Sequence, residues 1–540
     1  MKKKFLKMIF LFLIFIFNLS FSEKKIIYYG WATRDTIFVR ENWQELDKLP
    51  FDGIGISVAI DRKRPTTGNG ATGNLLGWNL FGDRKFEYDE FKEAIEDLKV
   101  PKWKNLKENF LACAVATKGQ DKGLNWFDDT RWEIIYNNWE IFIRIAKEGN
   151  LKGIFVDFEH YDYDCELFRY AHHKAKREDR PFAEYKEKAN QRGRDIMKIT
   201  KRIFPDIIIF YNTGYSMYFT DKFRRGGPEE EARYSLLPSF LDGMLSEIGE
   251  NMKFVEIASV DPELHRKGIY PYGYTEEEHF RKAYETVKNK CLSVTEYPEI
   301  FKKRVSAGFA LSFDHPHREF NTEDLSKNYF TPEKFAYALE NGLKITDEYL
   351  WIYTGTLQTS TFIPGKDYID KYLEAIRKVR EKFKLKNISF YRGYKCKEGK
   401  IELLDGGKEV RVIWEGILEN TGSGGIEINL PPTDLRNKNF ILFVRPITNV
   451  VPTLFFSLYD EKGRVSMNAW HNIKIGEDNR IIIKVGDKGS SNYFEKARDE
   501  FDKITKILIY FNSKKPNEKA EVIFGEFKEV ENLSEILNIP

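Results

Sequence analysis

Two carboxylates two residues apart, Asp157 and Glu159, close an apolar run that reads GIFVDFEHY over residues 153–161. Side chains alternate along a strand. Ile154, Val156 and Phe158 then form a set that packs against helices, while Phe155, Asp157 and Glu159 point the other way. Adjacent acids raise one another's proton affinity, and burial adds to the effect. A carboxyl kept protonated near neutral pH can act as a general acid. The alternative role for the pair is structural, a salt-bridged support for a loop.

A second acid ends the run GFALSFDHPH at residues 308–317. The same alternation sets Phe309, Leu311 and Phe313 on one side and Ala310, Ser312 and Asp314 on the other. Asp314 is therefore expected to face the first pair. Glu256, in FVEIAS at residues 254–259, falls inward by the same rule; its alternative is an interior acid paired with Arg or Lys. Aromatic and amide groups occur at other run ends: Trp31, Tyr211, Asn212, Trp351 and Tyr353. Rings bind the C–H faces of sugars, and Asn, His and acids bind the hydroxyls. That assigns Trp31, His160, Tyr211, Asn212, His315, Trp351 and Tyr353 to substrate binding. His160, His315 and His317 could also join Asp157 and Asp314 around a metal, yet no fixed ligand spacing supports one, and no metal or cofactor is expected.

Eight short apolar runs must position these groups. They cover residues 26–31, 54–60, 110–116, 153–159, 207–212, 254–259, 308–314 and 350–353, with helical patterns between them at 40–49, 88–98, 132–148, 183–203, 237–248, 276–290, 332–346 and 368–383. Eight strands each followed by a helix predict an α/β fold, a (β/α)8 TIM barrel, at residues 23–386. Its C-terminal rim carries the long segments 61–86, 118–131 and 219–235. Gly77-Trp78-Asn79-Leu80-Phe81 predicts that the first is a packed, functional loop. From 387 to 540 alternating strands separated by turns predict a β-sandwich.

The segment 153–161 is similar to the strand-four D-x-E signature of chitinase-like family 18 glycoside hydrolases. That resemblance implies a TIM-barrel hydrolase in which Glu159 protonates the glycosidic oxygen and Asp157 positions the substrate's N-acetyl group. Trp351 resembles the tryptophan at the floor of that family's site. Two further acids of the family signature are Lys152 and Phe155 here, and the family's strand-six Tyr motif has no clear counterpart. A broader resemblance, to retaining glycosidases with acids on strands four and seven, implies Asp314 as nucleophile, with Glu256 as its rival. The strand-rich end resembles the jelly-roll modules that bind carbohydrate beside such barrels.

Composition bounds the partners. The 540 residues hold 86 Lys+Arg and 83 Asp+Glu, with 10 Trp, 28 Tyr and 43 Phe. Residues 1–22, four lysines and an apolar stretch ending Ser20-Phe21-Ser22, read as a secretory signal peptide. Its removal leaves 82 basic and 83 acidic residues, net −1. The balance predicts a neutral saccharide as partner and argues against nucleic acid. No later stretch is apolar for long enough to span a membrane. Cys113, Cys165, Cys291 and Cys396 are too widely spaced for a disulfide framework and read as buried thiols. The chain is thus expected to be a secreted glycoside hydrolase acting on a poly- or oligosaccharide. A non-catalytic carbohydrate-binding surface protein and a metal-dependent hydrolase or deacetylase are the alternatives.

Overall fold

A computed structural model describes residues 24–30, 34–64, 66, 71–117, 123–161, 165–177, 180–316, 320–355, 367–385, 388–404, 409–417, 421–433, 435–436, 439–485 and 503–530. The expected signal peptide, Trp31 and His317 lie outside them. The fold is α/β and has two compact units, one of Lys24–Val379 and one containing the residues from Arg380 onward.

The first unit runs β1 (Lys25–Tyr28), α1 (Thr36–Leu46), β2 (Gly53–Ile56), α2 (Lys92–Lys99), β3 (Phe110–Ala114), α3 (Asp129–Glu148), β4 (Gly153–Asp157), α4 (Tyr170–Arg177), α5 (Phe182–Ile203), β5 (Ile208–Tyr211), α6 (Tyr215–Arg225), α7 (Leu237–Ser246), β6 (Lys253–Glu256), α8 (Pro262–Arg266), α9 (Glu277–Lys288), α10 (Pro298–Arg304), β7 (Val305–Ala307), β8 (Phe309–Ser312), α11 (Pro332–Ile345), β9 (Tyr349–Tyr353) and α12 (Asp367–Leu385). The strands form one nine-stranded parallel sheet in the order β7-β6-β5-β4-β3-β2-β1-β9-β8. Its two edges are consecutive in the chain. Gly308 alone separates β7 from β8, so these are two halves of one strand, which begins three residues before the one expected at 308–314. The half before Gly308 pairs with β6 and the half after it pairs with β9, which closes the sheet into a barrel. Helices α4, α6, α8 and α10 were not expected from the sequence pattern. All are short and polar on one side, and α6 and α8 occupy the segments that follow strands five and six.

Alternation dictates the core. Ile27, Phe110, Ala112, Phe155, Phe210, Val255, Ala310, Tyr349 and Trp351 fill the interior. Phe110 and Phe210 stack at 4.1 Å, and Phe155 meets the Trp351 ring edge-on at 4.8 Å. Burying one such ring stabilises the fold by roughly 1.5–3 kcal/mol. The outward set, including Ile154, Val156 and Ile209, is equally buried beneath the helices, as expected where a parallel sheet is covered on its outer face. Lys25 closes the far end by pairing with Glu108 at 3.0 Å and Glu348 at 3.2 Å, while the Tyr349 hydroxyl donates to Glu108. Helix α3 begins at Asp128, whose carboxylate accepts from the Arg131 N–H, and ends at Gly149.

The second unit packs two five-stranded antiparallel sheets. One has the order β10 (Ile388–Arg392), β13 (Ser423–Thr433), β18 (Ile504–Ser513), β15 (Val450–Asp460), β16 (Gly463–His471). The other runs β11 (Cys396–Leu404), β12 (Glu409–Gly416), β19 (Lys519–Val530), β14 (Asn439–Thr448), β17 (Asn479–Lys484). Trp414, Leu442 and Phe524 of the second sheet meet Ile426, Phe456 and Ile509 of the first in one core. Strand β15 has apolar residues on both faces. Phe455, next to the core residue Phe456, stacks on Tyr510 at 5.1 Å on the outer side, beside Tyr391, Tyr459 and Met467.

All four cysteines are buried, and none is bridged to another. No helix among the described residues is long and apolar enough to cross a membrane.

Candidate active site

Strand β4 ends at Asp157, and the chain continues outward through Glu159 to Tyr161. Asp157, Glu159 and Tyr161 line a cavity of about 120 Å³ at the barrel mouth, together with Tyr29, Trp78, Asn212, Tyr272, Trp351 and Tyr353. Asp157 accepts from the Glu159 backbone N–H at 2.9 Å and from the Tyr161 hydroxyl, which also lies 3.4 Å from a Glu159 carboxylate oxygen. Asp157 thereby sets the main-chain position of the acid that follows it.

The walls are rings. Trp78 meets Tyr161 edge-on at 4.6 Å, Tyr272 lies 5.1 Å from Tyr353, and Trp351 lies 5.2 Å from Tyr353. The Trp351 indole N–H donates to the Tyr29 carbonyl at 2.8 Å, which fixes the ring at the seam between β1 and β9. Gly30 keeps that seam narrow, because a Cβ there would sit 2.3 Å from the Thr354 hydroxyl and 2.7 Å from its carbonyl oxygen.

Burial, and then the charge of Asp157, push the Glu159 carboxyl up to about 7. Burial also raises Asp157, opposed by hydrogen bonds from Tyr161, the Glu159 amide and Asn212. Glu159 is therefore the member of the pair held in its acid form near neutrality.

The other expected residues divide. Asn212, Trp351 and Tyr353 reach the cavity. His315 does not line it but faces an adjoining groove of about 550 Å³, whose wall includes Glu159, Asn212 and Tyr272. Four residues are placed differently from expectation. Val255 is the β6 residue that enters the barrel interior, so Glu256 points outward, beneath the start of α6. It is 1% exposed and accepts from the Ser216 N–H at 2.8 Å. Gly214 makes room for it, since a Cβ there would stand 3.0 Å from the Glu256 carboxyl carbon. Tyr211 follows the same reversed parity on β5, where Phe210 fills the interior. Its ring packs on Phe158 and Phe254, and its hydroxyl lies 3.4 Å from Glu256. His160 shares the outward parity of Phe158. It stacks on Tyr234 at 4.3 Å, with Nδ1 3.4 Å from Glu166. Asp314 does have the inward parity, but its carboxylate is fully buried against the chain leaving β9. It accepts from the Gly355 N–H at 3.0 and 3.2 Å and from the Ser312 hydroxyl at 2.5 Å, and it lines neither cavity.

Tyr29, Trp78, Tyr161 and Tyr272 are site residues that had not been singled out as ligand contacts. Tyr161 carries a usable signal, since it continues the alternation 155, 157, 159. Trp78 comes from the segment 61–86, expected to be a packed rim loop, and its placement agrees. Tyr272 follows α8 on a short turn (Pro271–Gly273) and carries no periodic signal. No group of three or more His, Cys, Asp or Glu among the described residues is placed to hold a metal ion.

No protein-family profile and no curated protein matches the chain. Among solved structures it is similar to the family 11 carbohydrate-binding module of a cellulosomal cellulase of Clostridium thermocellum, with 16% identity, 27% of this chain and 87% of that one covered, and a TM-score of 0.20. It is also similar to the carbohydrate-binding module TmCBM61, with 14% identity, 27% and 88% covered, and a TM-score of 0.18. A third similarity is to the agarase AgWH50C, with 13% identity, 27% and 22% covered, and a TM-score of 0.22.

Proposed function

We propose that the chain is a secreted glycoside hydrolase whose general acid is Glu159. The observation that carries this reading is a carboxyl held near pH 7 at the mouth of the barrel, inside a ring-lined cavity and beside a second carboxylate two residues earlier. Such a group can protonate a leaving glycosidic oxygen at neutral pH. The rings around it suit the apolar faces of a sugar.

Asp314 and Glu256 both turn away from the cavity. This reading therefore assigns neither of them the nucleophile's role, and departs from the two-carboxylate scheme with acids facing each other across the sugar. Asp157 instead orients a group of the substrate itself, such as an N-acetyl amide, whose oxygen attacks the anomeric carbon as Glu159 gives up its proton. Tyr161 and Asn212 favour the ionised form of Asp157 while this happens. Glu159 then takes a proton from the incoming water, which restores the acid.

A panel of aryl glycosides with and without a 2-acetamido group tests the reading directly. Cleavage confined to the 2-acetamido sugars, and lost in Glu159→Gln, is expected. Cleavage of 2-hydroxy sugars at an equal rate would overturn the substrate-assisted step. Full turnover by Glu159→Gln would overturn the assignment of the acid.

A further inference from the structure

Glu159 stands at a boundary. On one side is the narrow aromatic cavity, and on the other is the groove of about 550 Å³, with Asn212 and Tyr272 common to both walls. An acid that protonates a leaving group must lie between the ring being cleaved and the group that departs. If the cavity takes the cleaved sugar, the groove takes the leaving group, an assignment that rests on the function proposed above.

The groove differs from the cavity in charge. Arg224 and Arg225, on the last turn of α6, and Arg233 all line it, against the acids Asp221 and Glu159. The two α6 arginines share one carboxylate. Arg225 reaches Asp221 through Nε at 2.7 Å, while Arg224 only approaches it at 3.6 Å. Asp221 is itself buried and also accepts from the Arg233 N–H at 2.8 Å. The Nη groups of Arg225 have no hydrogen-bond partner among the described residues, and both arginine side chains are close to half exposed, 45% and 43%. Arg233 is bound through Nε and Nη2 to Glu166, behind the wall. With Glu159 in its acid form, the groove presents excess positive charge and forked donors, the arrangement that grips a carboxylate or sulfate. Tyr270, 43% exposed, adds a ring at the same wall.

We infer that the groove binds an acidic saccharide, a leaving group that carries a carboxylate or a sulfate ester held by Arg224 and Arg225. The near-zero charge of the whole chain pointed to a neutral partner; that balance is an average which conceals this local cluster.

Calorimetric titration of the Glu159→Gln protein tests the inference without requiring turnover. The probes are chondroitin 4-sulfate tetrasaccharide, its desulfated form and the desulfated, carboxyl-reduced neutral form, with an oligogalacturonate and its carboxyl-reduced form as a second matched set. At least one set should bind its acidic member tenfold or more tightly than its neutral member, less so at high salt. The sulfated and desulfated arms tell sulfate from carboxylate. Adding Arg224→Gln and Arg225→Gln should erase the preference and leave neutral binding within about twofold, with an unchanged thermal midpoint as the folding control. Equal binding of acidic and neutral members, a preference that survives the double substitution, or no binding in either set would overturn it. An arginine-dependent preference in a protein whose wild type cleaves none of these sugars and none of the aryl glycosides would uphold the groove and reject the hydrolase.

Discussion

Glu159 and Glu256 sit at the rim ends of two strands of the same barrel, and burial pushes both up to about 7. Their surroundings otherwise differ. Glu159 faces two cavities, and the charge of Asp157 adds to its proton affinity. Glu256 is sealed under α6, with the Ser216 N–H as its close donor. A raised proton affinity therefore marks burial and does not by itself mark chemistry. Access to a space that a substrate can enter separates the two, and one step of strand parity decides it.

The largest expected effect is at Glu159. Replacing it with Gln should lower kcat/KM on a cleaved sugar by 10²- to 10⁴-fold, the usual contribution of a positioned acid, while saccharide binding persists. Asp157→Asn should cost on the order of 10²-fold through lost orientation. It should also move the alkaline limb of the pH–rate profile to lower pH. The sign follows from charge: Asp157 raises Glu159, so removing that charge lets Glu159 lose its proton earlier. A limb that stays in place would show that burial alone sets the acid.

Glu256→Gln should leave kcat within about twofold and act on stability instead. The native state holds the Glu256 proton more tightly than the unfolded chain does. Its contribution is therefore full below about pH 4.5 and is lost as pH rises through about 7. That difference amounts to about 3 kcal/mol. Thermal midpoints of the wild type should fall between pH 5 and 8, and Glu256→Gln should flatten the fall. A collapse of kcat instead would place Glu256 in the chemistry and break the comparison. Asp314→Asn should have the smallest effect on turnover. It weakens the contact with the Gly355 N–H at a cost of about 1–3 kcal/mol in stability, measured by denaturant unfolding.

Much of the barrel is legible in the sequence, because parallel strands covered on both faces show up as short apolar runs. The inward pair on β4 is legible for the same reason, since residues 153–159 alternate without interruption. Strands β5 and β6 mislead because both of their faces are buried, so hydrophobicity does not distinguish them. Phe210 and Val255 fill the interior, and Tyr211 and Glu256, the polar residues beside them, point outward. Asp314 has the expected parity yet is claimed by the backbone after β9, a contact between residues 41 positions apart that no local pattern encodes. Tyr272 escapes notice because it rides on a turn whose course depends on packing rather than on periodicity.

The register at the barrel seam also bears on how the site comes into being. Residues 25–28 pair with 349–352, while β3, β4 and β5 are neighbours in the chain as well as in space. Closing a loop of more than 300 residues carries a larger entropy cost than pairing adjacent strands, and contacts so distant in sequence form slowly. The carboxylates can thus be set in place by an incomplete chain, whereas the wall of Tyr29, Trp351 and Tyr353 exists only once first and last strands meet. During synthesis on a ribosome, a chain that ended before β9 would carry the acids without Trp351 and Tyr353. Activity then reports closure of the barrel, and the last barrel strand to emerge is the one that completes the site.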